Sequence, residues 1–241
     1  MNITIIGAGA GGLFAALLLA RAGHEVVVLE QDRVEPGADV ESAAGSAYRP
    51  TAPQIVQPHA VMARCRELVR DRLPDVYESL LAAGVVEVPI SDWMPDTLAA
   101  RSAWPGDERL SPLMTRRSTL DWVLQQAVLA EPGVTVRDGV RVIGLLGRSG
   151  RPPRVIGVRS DQGELSSDLV IDAAGRRTPV DRWLEDIGAA PAATWSADCG
   201  VAYYSRHYRI RLGRQLPGPA TTRIVAARRS SPSPSSAPTT A

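Results

Sequence analysis

Apolar, glycine and charged positions follow one another in a defined order along the first 30 residues. Residues 2–6 (NITII) are rich in β-branched side chains and predict a short buried strand. Residues 13–23 (LFAALLLARAG) predict a helix that Gly23 is placed to end. Residues 25–30 (EVVVLE) are apolar at nearly every position, which is typical of a parallel strand covered on both faces. Strand, glycine turn, helix and strand within about 30 residues predict a βαβ unit.

The pattern beyond residue 30 predicts further helices and strands. The segment from Gln31 to Pro58 is rich in Pro, Gly, Ser and Ala and is predicted to be a loop. Ser118 is placed to cap a helix, because Asp121 follows three residues later. The predicted helices are 59–73, 74–83 and 118–130, the predicted strands are 85–90, 134–137, 140–146, 154–160 and 168–175, and residues 91–112 are predicted to be irregular.

The chain changes character near its carboxyl end. Residues 201–212 (VAYYSRHYRIRL) alternate as in a strand that is exposed on one face. From Gly213 the periodicity is lost, and residues 228–241 have only alanine to bury. Such a segment does not offset its ordering entropy, so 213–241 is predicted to be a disordered tail.

The charge-free stretch from Ile3 to Ala20 has a second interpretation as a membrane or secretory segment. Its 18 residues approach the length of a membrane span. Five of them are Gly or Thr, and no basic residue precedes the apolar part, whereas a secretory signal has a cationic start. The sequence therefore favours the glycine turn and predicts no membrane span.

Charge and cysteine content exclude several classes of function. The net charge of +1 gives no reason to expect nucleic acid or an acidic membrane as a partner. All 27 basic residues are arginines, so a Schiff-base lysine and a P-loop lysine are both excluded. Cys65 and Cys199 lie far apart and form neither a zinc motif nor a disulfide framework. The chain is therefore predicted to be cytoplasmic and to hold no metal.

The glycine spacing is the strongest chemical signal in the sequence. Gly7, Gly9 and Gly12 match the G-x-G-x-x-G fingerprint directly between a strand and a helix. In that fingerprint the first glycine makes the tight turn, the second admits a pyrophosphate, and the third lets helix and strand pack closely. Ala10 and Gly11 complete the predicted phosphate loop. Glu30, 18 residues beyond Gly12, is placed to accept hydrogen bonds from adenosine ribose hydroxyls and to repel a 2′-phosphate.

Several ordered motifs make the chain similar to one family. Ala16 and Gly23 stand at offsets that recur after the fingerprint in FAD-binding flavoproteins. Residues 57–85, 116–124 and 203–210 resemble further segments of these proteins, and 168–188 (DLVIDAAGRRTPVDRWLEDIG) resembles their second fingerprint. Over residues 1–212 the chain resembles the FAD-dependent monooxygenase and oxidoreductase superfamily, which includes aromatic hydroxylases and halogenase-like flavoproteins.

The resemblance implies a fold and a domain arrangement. The fold is expected to be α/β, with a Rossmann-like FAD/NAD(P)-binding domain, a parallel sheet, a β-meander insertion and the start of a substrate-domain sheet. The expected domains are an FAD-binding domain at 1–198 with a helical insertion at 57–131, the first strand of an incomplete substrate domain at 199–212, and the tail at 213–241.

The resemblance also implies a cofactor and an activity. FAD is the expected cofactor, with Arg117, Asp172 and Gly175 near the flavin, and with Arg49 and His59 as further candidates. The expected activity is oxygenation of a small organic substrate through a flavin C4a-hydroperoxide, with NAD(P)H or an external reductant as electron donor. In flavoenzymes the cofactor carries the redox chemistry, which agrees with the absence of a nucleophile or paired-carboxylate motif in the sequence.

Two departures from the family pattern leave alternatives open. Ala174 stands where aromatic hydroxylases carry an aspartate before the glycine of the second motif, which is nearer to the halogenase and reductase-like branches. The third Gly-Asp-Ala motif of the family does not occur, and the chain is therefore predicted to be truncated. A non-catalytic FAD-binding fragment and a halogenase-like or reductase-like flavoprotein remain the alternatives, and an NAD-dependent dehydrogenase is disfavoured. The sequence indicates neither the substrate nor the oligomeric state.

Overall fold

The amino-terminal βαβ unit forms as predicted. The computed structural model describes residues 1–46, 48–94, 104–190 and 192–208. Strand β1 (Asn2–Ile6) leads through the glycine turn into helix α1 (Ala10–Arg21) and strand β2 (Glu25–Glu30). Helix α1 begins at Ala10, three residues before the predicted start, so residues 10–12 of the glycine turn belong to its first turn.

A four-stranded parallel sheet forms the centre of the fold. Strand β6 (Val134–Asp138) lies beside β2, and strand β10 (Leu169–Asp172) lies beside β1, which gives the order β10-β1-β2-β6. Since all four strands are parallel, their carboxyl ends meet at one edge of the sheet. This edge is where ligands bind in open α/β sheets.

Helices cover one face of this sheet. Alternate residues of β1 and β2, including Ile5 and Val28, pack against α1 and against α5 (Arg117–Ala130). Ile5 and Val28 are fully buried, as expected for a strand that is covered on both faces.

An antiparallel meander covers the other face. It consists of β7 (Val142–Arg148), β8 (Arg154–Ser160) and β9 (Gly163–Ser166), and helix α6 (Val180–Asp186) packs beside it. Ile6 and Leu29 from the parallel sheet form a second core with Val158 of β8 and Trp183 of α6. The predicted fold class, with a parallel Rossmann-like sheet and a β-meander, is confirmed.

A second antiparallel sheet lies in the segment between β2 and β6. Its order is β3-β5-β4, and helices α2, α3 and α4 belong to the same segment. The bounds are α2 (Val40–Ser46), β3 (Pro58–Val61), α3 (Ala63–Arg72), α4 (Pro74–Ala82), β4 (Val86–Glu87) and β5 (Leu113–Arg116).

Several predictions for this segment are wrong. The predicted loop 31–58 contains α2 and the first residue of β3, and the helix predicted from residue 59 begins at Ala63. The strand predicted at 85–90 is only two residues long. The pairing of β3 with β5 joins residues that are more than 50 positions apart, and local periodicity does not reveal such a partner.

The predicted cap of α5 is also wrong. The N-cap residue is Arg116, whose side chain makes no capping hydrogen bond. Ser118 is buried inside the first turn of α5. Strand β5 runs into this helix without an intervening loop, so the chain enters α5 before it reaches the serine.

The predicted strand at 201–212 is not formed over its described part. Residues 201–208 are exposed and belong to no sheet, because no neighbouring strand pairs with them among the described residues. Residues 209–212 and the predicted tail at 213–241 lie outside the described residues. The domain boundaries remain predictions.

The helices of the described residues also bear on the interpretation of residues 3–20 as a membrane segment. None of them is both long enough and apolar enough to cross a bilayer. The stretch from Ile3 to Ala20 is divided between β1, the glycine turn and α1.

Candidate functional site

Two of the fingerprint glycines are required by close backbone packing. Gly7 has a positive φ of 100°, and a Cβ atom at this position would lie 2.8 Å from the carbonyl oxygen of Ala173. A Cβ atom on Gly12 would lie only 2.0 Å from the carbonyl oxygen of Gly7. These glycines therefore hold the turn, the helix and strand β10 together, which agrees with the roles that the fingerprint predicts.

The other glycines of the loop leave open space. A Cβ atom on Gly9 or Gly11 would have no neighbour within 4 Å. The first intrahelical hydrogen bond runs from the amide of Leu13 to the carbonyl oxygen of Gly9, at 2.9 Å. The amides of Ala10, Gly11 and Gly12 precede that bond and have no partner within the helix. Unpaired amides at the positive end of a helix, with open space beside them, form a site for an anion such as a diphosphate.

Glu30 lies at the end of β2 and faces the glycine loop. Its carboxylate is 4% exposed and accepts a hydrogen bond from the Ala8 amide at 2.7 Å and from the Asp32 amide at 2.9 Å. These bonds fix the carboxylate at the carboxyl edge of the sheet, beside the start of α1. This is the position that the fingerprint assigns to a ribose-binding acid.

Arg49 covers the same carboxylate. Its guanidinium lies 2.6 Å from Glu30 Oε2, and it donates a hydrogen bond to the carbonyl oxygen of Ala8 at 3.3 Å. Asp32 Oδ2 lies 3.5 Å from the Arg49 Nε atom, and that Nε atom is buried without a hydrogen-bond partner. The resemblance implied a place for Arg49 near the flavin ring, whereas the structure places it on the predicted ribose-binding acid.

An apolar cleft of about 190 Å³ opens beside the glycine loop. It lies between the loop, helix α5, strand β6 and the residues that follow β2. Its lining consists of Ala8, Leu13, Val34, Pro36, Gln125, Val128, Leu129, Val136 and Asp138. Mostly apolar walls with a few polar groups are typical of pockets for small molecules and cofactors.

Strand β10 brings the second motif against the first. Ile6 of β1 is paired with Asp172, so the turn after β10 lies at the same edge of the sheet as the glycine loop. Asp172 accepts hydrogen bonds from the Ala174 amide at 2.9 Å and from the Thr178 hydroxyl. Gly175 is exposed and has a positive φ of 84°. In the structure Asp172 therefore orders the turn that leads to α6.

Arg117 forms a buried ion pair within α5. Its Nε atom lies 3.1 Å from both carboxylate oxygens of Asp121, and the two side chains are 11% and 3% exposed. Burial raises the pKa of Asp121, and the positive charge of Arg117 opposes this rise. Asp121 and Arg49 line one small cavity of about 70 Å³, so the start of α5 lies close to the residues that follow β2.

His59 lies near this ion pair on strand β3, not at a helix start as predicted. Burial lowers the pKa of its imidazole, and the charge of Arg117 lowers it further. Both effects favour the neutral form of the imidazole.

The structure brings most predicted site residues to one edge of the parallel sheet. Gly7, Gly9, Ala10, Gly11, Gly12, Glu30, Asp172 and Gly175 all lie there, and Arg117 lies at the start of the neighbouring helix α5. The sequence did not predict the ion pair between Arg49 and Glu30, and it did not predict that Asp32 contacts both of these residues. Helix α2 and the residues around it separate Glu30 from Arg49, and no spacing rule links the two. An arginine in the segment that follows the acid-bearing strand was the available signal, and Arg33 carries the same signal.

Comparisons with known proteins agree with this geometry. Residues 5–68 match the family model of an NAD(P)-binding Rossmann-like domain. Protein Rv3254 of Mycobacterium tuberculosis is 29% identical over 226 residues, which is 87% of this chain and 45% of that protein. The probable electron transfer flavoprotein-quinone oxidoreductase YdiS of Escherichia coli is 30% identical over 190 residues, which is 78% of this chain and 39% of that protein.

Solved structures show the same fold. PqsL of Pseudomonas aeruginosa, a probable FAD-dependent monooxygenase, superposes with a TM-score of 0.54 at 21% identity and covers 80% of this chain and 48% of its own. The same protein has been solved in complex with 2-aminobenzoylacetate. The chain therefore spans less than half the length of these relatives.

These findings agree on the fold. Residues 5–68 match an NAD(P)-binding Rossmann-like domain, and the chain shares its fold with PqsL, a probable FAD-dependent monooxygenase. The predicted resemblance to the flavoprotein oxidoreductase superfamily is confirmed.

Proposed function

We propose that this chain binds the adenosine diphosphate half of FAD and supplies the dinucleotide-binding part of a flavoprotein oxidoreductase. The observation that carries the proposal is the open space above Gly9 and Gly11, beside the unpaired amides of Ala10, Gly11 and Gly12. Since no protein atom lies within 4 Å of a Cβ atom built on either glycine, a diphosphate could approach the backbone of the loop there. Glu30, fixed at the end of β2, would then accept hydrogen bonds from the ribose.

The apolar cleft beside the loop would take the adenine ring. Leu13 and Val136 would contact its faces, and Gln125 and Asp138 offer polar groups for its edge. The cleft volume of about 190 Å³ leaves room for a purine. Because the cleft is lined mostly by apolar groups, we expect the chain to bind an adenine nucleotide more tightly than inorganic diphosphate, which lacks the base.

The flavin end would lie beyond the diphosphate, toward the turn after β10 and the start of α5. Asp172 and Gly175 would line it on one side and Arg117 on the other. This assignment rests on their place around the glycine loop and on the second-fingerprint motif. Asp172 already accepts two hydrogen bonds inside its own turn, so its proposed role is to hold the backbone amides of that turn in place.

The chemistry follows from the group that the site would hold. Bound flavin supplies dioxygen activation at its C4a atom, and the proposed reaction is oxygenation of a small organic substrate. The shared fold with PqsL supports this class of reaction. The residues of this chain would bind and orient the cofactor, and NAD(P)H or an external reductant would deliver the electrons.

The test is a visible spectrum of the purified chain before and after incubation with FAD, followed by gel filtration. The proposal predicts flavin absorption that co-elutes with the protein in near one-to-one amount. NADH and NADPH are then added in parallel, and bleaching of the flavin band identifies a donor. Flavin retention without any bleaching or dioxygen uptake would instead indicate the non-catalytic FAD-binding fragment. A colourless protein whose thermal unfolding is unchanged by FAD or ADP would contradict the proposal.

A further inference from the structure

The carboxylate that the proposed function assigns to the ribose is already engaged within the protein. A carboxylate offers about four lone-pair sites. Three of those of Glu30 are used, by the Ala8 amide, the Asp32 amide and the Arg49 guanidinium. With an exposed fraction of 4%, the side chain presents little surface to a ligand. One site is left, so a ribose that binds Glu30 through both of its hydroxyls must displace one of these partners.

Arg49 is the partner that is able to move. The Ala8 and Asp32 amides belong to the backbone that follows β1 and β2, and their positions are fixed by the sheet. The Arg49 guanidinium is held at the end of a long side chain from the segment after α2. The guanidinium can therefore leave Glu30 through a change of side-chain rotamer, whereas either amide could leave only if the backbone moved.

The guanidinium is also incompletely satisfied where it lies. Its Nε atom is buried without a hydrogen-bond acceptor, although Asp32 Oδ2 lies 3.5 Å away. Its contact with the Ala8 carbonyl oxygen is long, at 3.3 Å. A buried donor without a partner opposes this arrangement, so the free energy that holds Arg49 on Glu30 is smaller than that of a fully bonded ion pair.

We propose that Arg49 is an internal competitor for the ribose at Glu30, which keeps the carboxylate closed until an adenine nucleotide displaces the guanidinium. This inference rests on the proposed function, because it concerns the same ribose site. It makes Arg49 a positioning residue that acts on the ligand through Glu30. The apparent affinity for ribose then equals the intrinsic affinity multiplied by the fraction of molecules in which Arg49 does not lie on Glu30.

The test compares two nucleosides that differ only in the ribose hydroxyls. Adenosine and 2′,3′-dideoxyadenosine are titrated into the wild-type chain and into Arg49→Met. Both nucleosides lack phosphate, so attraction between the arginine charge and a diphosphate does not contribute to the measured affinities. The proposal predicts that Arg49→Met binds adenosine about fivefold more tightly or better, with less than about a twofold change for dideoxyadenosine.

Two further variants keep the test valid if the buried Glu30 charge destabilises Arg49→Met. Arg49→Lys keeps a positive charge but loses the planar fork that bridges Glu30 and Ala8, and it should tighten adenosine binding to an intermediate degree. Arg49→Met combined with Glu30→Gln has no unpaired charge and should lose the gain for adenosine. Arg33→Met serves as a control, because it removes the same charge from the segment between β2 and β3, and the exposed Arg33 side chain makes no ion pair with Glu30.

The possible results separate this inference from the proposed function. Weaker or unchanged adenosine binding in Arg49→Met and in Arg49→Lys, with a wild-type chain that binds adenosine and FAD, would overturn the competition alone. Equal gains for both nucleosides would also overturn it, because the effect would then be independent of the hydroxyls. A wild-type chain that binds neither nucleoside nor FAD would overturn the proposed function together with this inference.

Discussion

At the scale of single residues, two glycines of the loop are required for backbone packing and two others leave space for a ligand. Gly7 and Gly12 are surrounded by backbone atoms, whereas Gly9 and Gly11 face open space. The fingerprint assigns packing to Gly7 and Gly12 and ligand approach to Gly9, and the structure shows that Gly11 also leaves open space. Substitutions at the two kinds of position should therefore affect different properties.

A matched pair of substitutions tests this separation. In Gly12→Ala the new Cβ atom would lie 2.0 Å from the carbonyl oxygen of Gly7, so the loop must shift, and the free energy of unfolding should fall by about 1–3 kcal/mol or more. Gly11→Ala meets no atom and lies in a helix, so stability should change by no more than about 1 kcal/mol. Urea unfolding of both variants measures this difference.

The same two substitutions should rank in the opposite order by their effect on the affinity for ADP. Because the Cβ atom of Gly11→Ala enters the proposed diphosphate space, its affinity for ADP should fall by about tenfold, or about 1.4 kcal/mol. A Gly11→Ala variant that unfolds as readily as Gly12→Ala, or that binds ADP as the wild type does, would contradict this assignment.

Asp121 gives a prediction with a defined direction in pH. Burial raises the pKa of this carboxyl in the folded protein above its unfolded value of about 3.9. The folded state thus binds the proton on Asp121 more tightly than the unfolded state does. The resulting stabilisation of the folded state is fully present below about pH 3.9 and is lost as the pH rises through the raised pKa. Relative to Asp121→Asn, the wild type should therefore lose stability as the pH rises from about 4 toward 7. Unfolding curves of the two proteins across this range measure the difference, and parallel curves would refute the prediction.

At the scale of elements, Arg21 at the end of α1 joins three helices. Its two terminal nitrogens contact both oxygens of Asp75 in α4, at 2.6 and 2.8 Å, and its Nε atom contacts Glu131 after α5 at 2.9 Å. The positive side chain also lies at the carboxyl end of α1, where it interacts favourably with the helix dipole. These contacts fix the helical layer over the parallel sheet at the end away from the glycine loop.

The Arg21 cluster should contribute modestly to stability. Arg21→Met should lower the free energy of unfolding by about 1 kcal/mol, because the Asp75 side chain is 59% exposed and solvent screens the pair. Hydrogen bonding to Arg21 lowers the pKa of Asp75, so this contribution is present above about pH 3.9 and is lost as the pH falls through the lowered pKa. Chemical denaturation at pH 7 measures the loss. FAD binding should be retained, and its disappearance in Arg21→Met would show that the cluster also shapes the site.

The elements that could be predicted from sequence are those that local patterns define. The βαβ unit, the meander strands β7 and β8, and α4 and α5 follow from periodicity, Gly and Pro signals. Strands β3 and β5 did not follow, because each is only four residues long and is stabilised by a partner distant in the chain. Helix α2 lies in a Gly/Ala/Ser-rich stretch that carries no apolar periodicity.

The same distinction applies to the site. Gly7, Gly12 and Glu30 were predictable because each serves a local geometric need of the fingerprint. The ion pair of Arg49 with Glu30 was not, because it depends on the path of the chain between residues 31 and 49.

At the scale of the whole molecule, the parallel sheet gathers features that lie far apart in the sequence. The glycine loop, the end of β2, the end of β6 and the turn after β10 all meet at its carboxyl edge. The meander and α6 support this edge from one face, while α1 and α5 cover the other. A dinucleotide bound along the edge would contact residues from both the first and the last fifth of the described chain.

The central claim is that the amides at the start of α1 bind the diphosphate of an adenine dinucleotide. The most direct test is a titration of ADP, and separately of adenosine, into the ¹⁵N-labelled chain, followed through the amide resonances of Ala10, Gly11 and Gly12. If these amides bind the diphosphate, ADP will shift the three resonances in a saturable manner and FAD will compete for the same shifts, whereas adenosine will leave them largely unchanged. Saturable binding of ADP that perturbs other amides but not these three would contradict this claim.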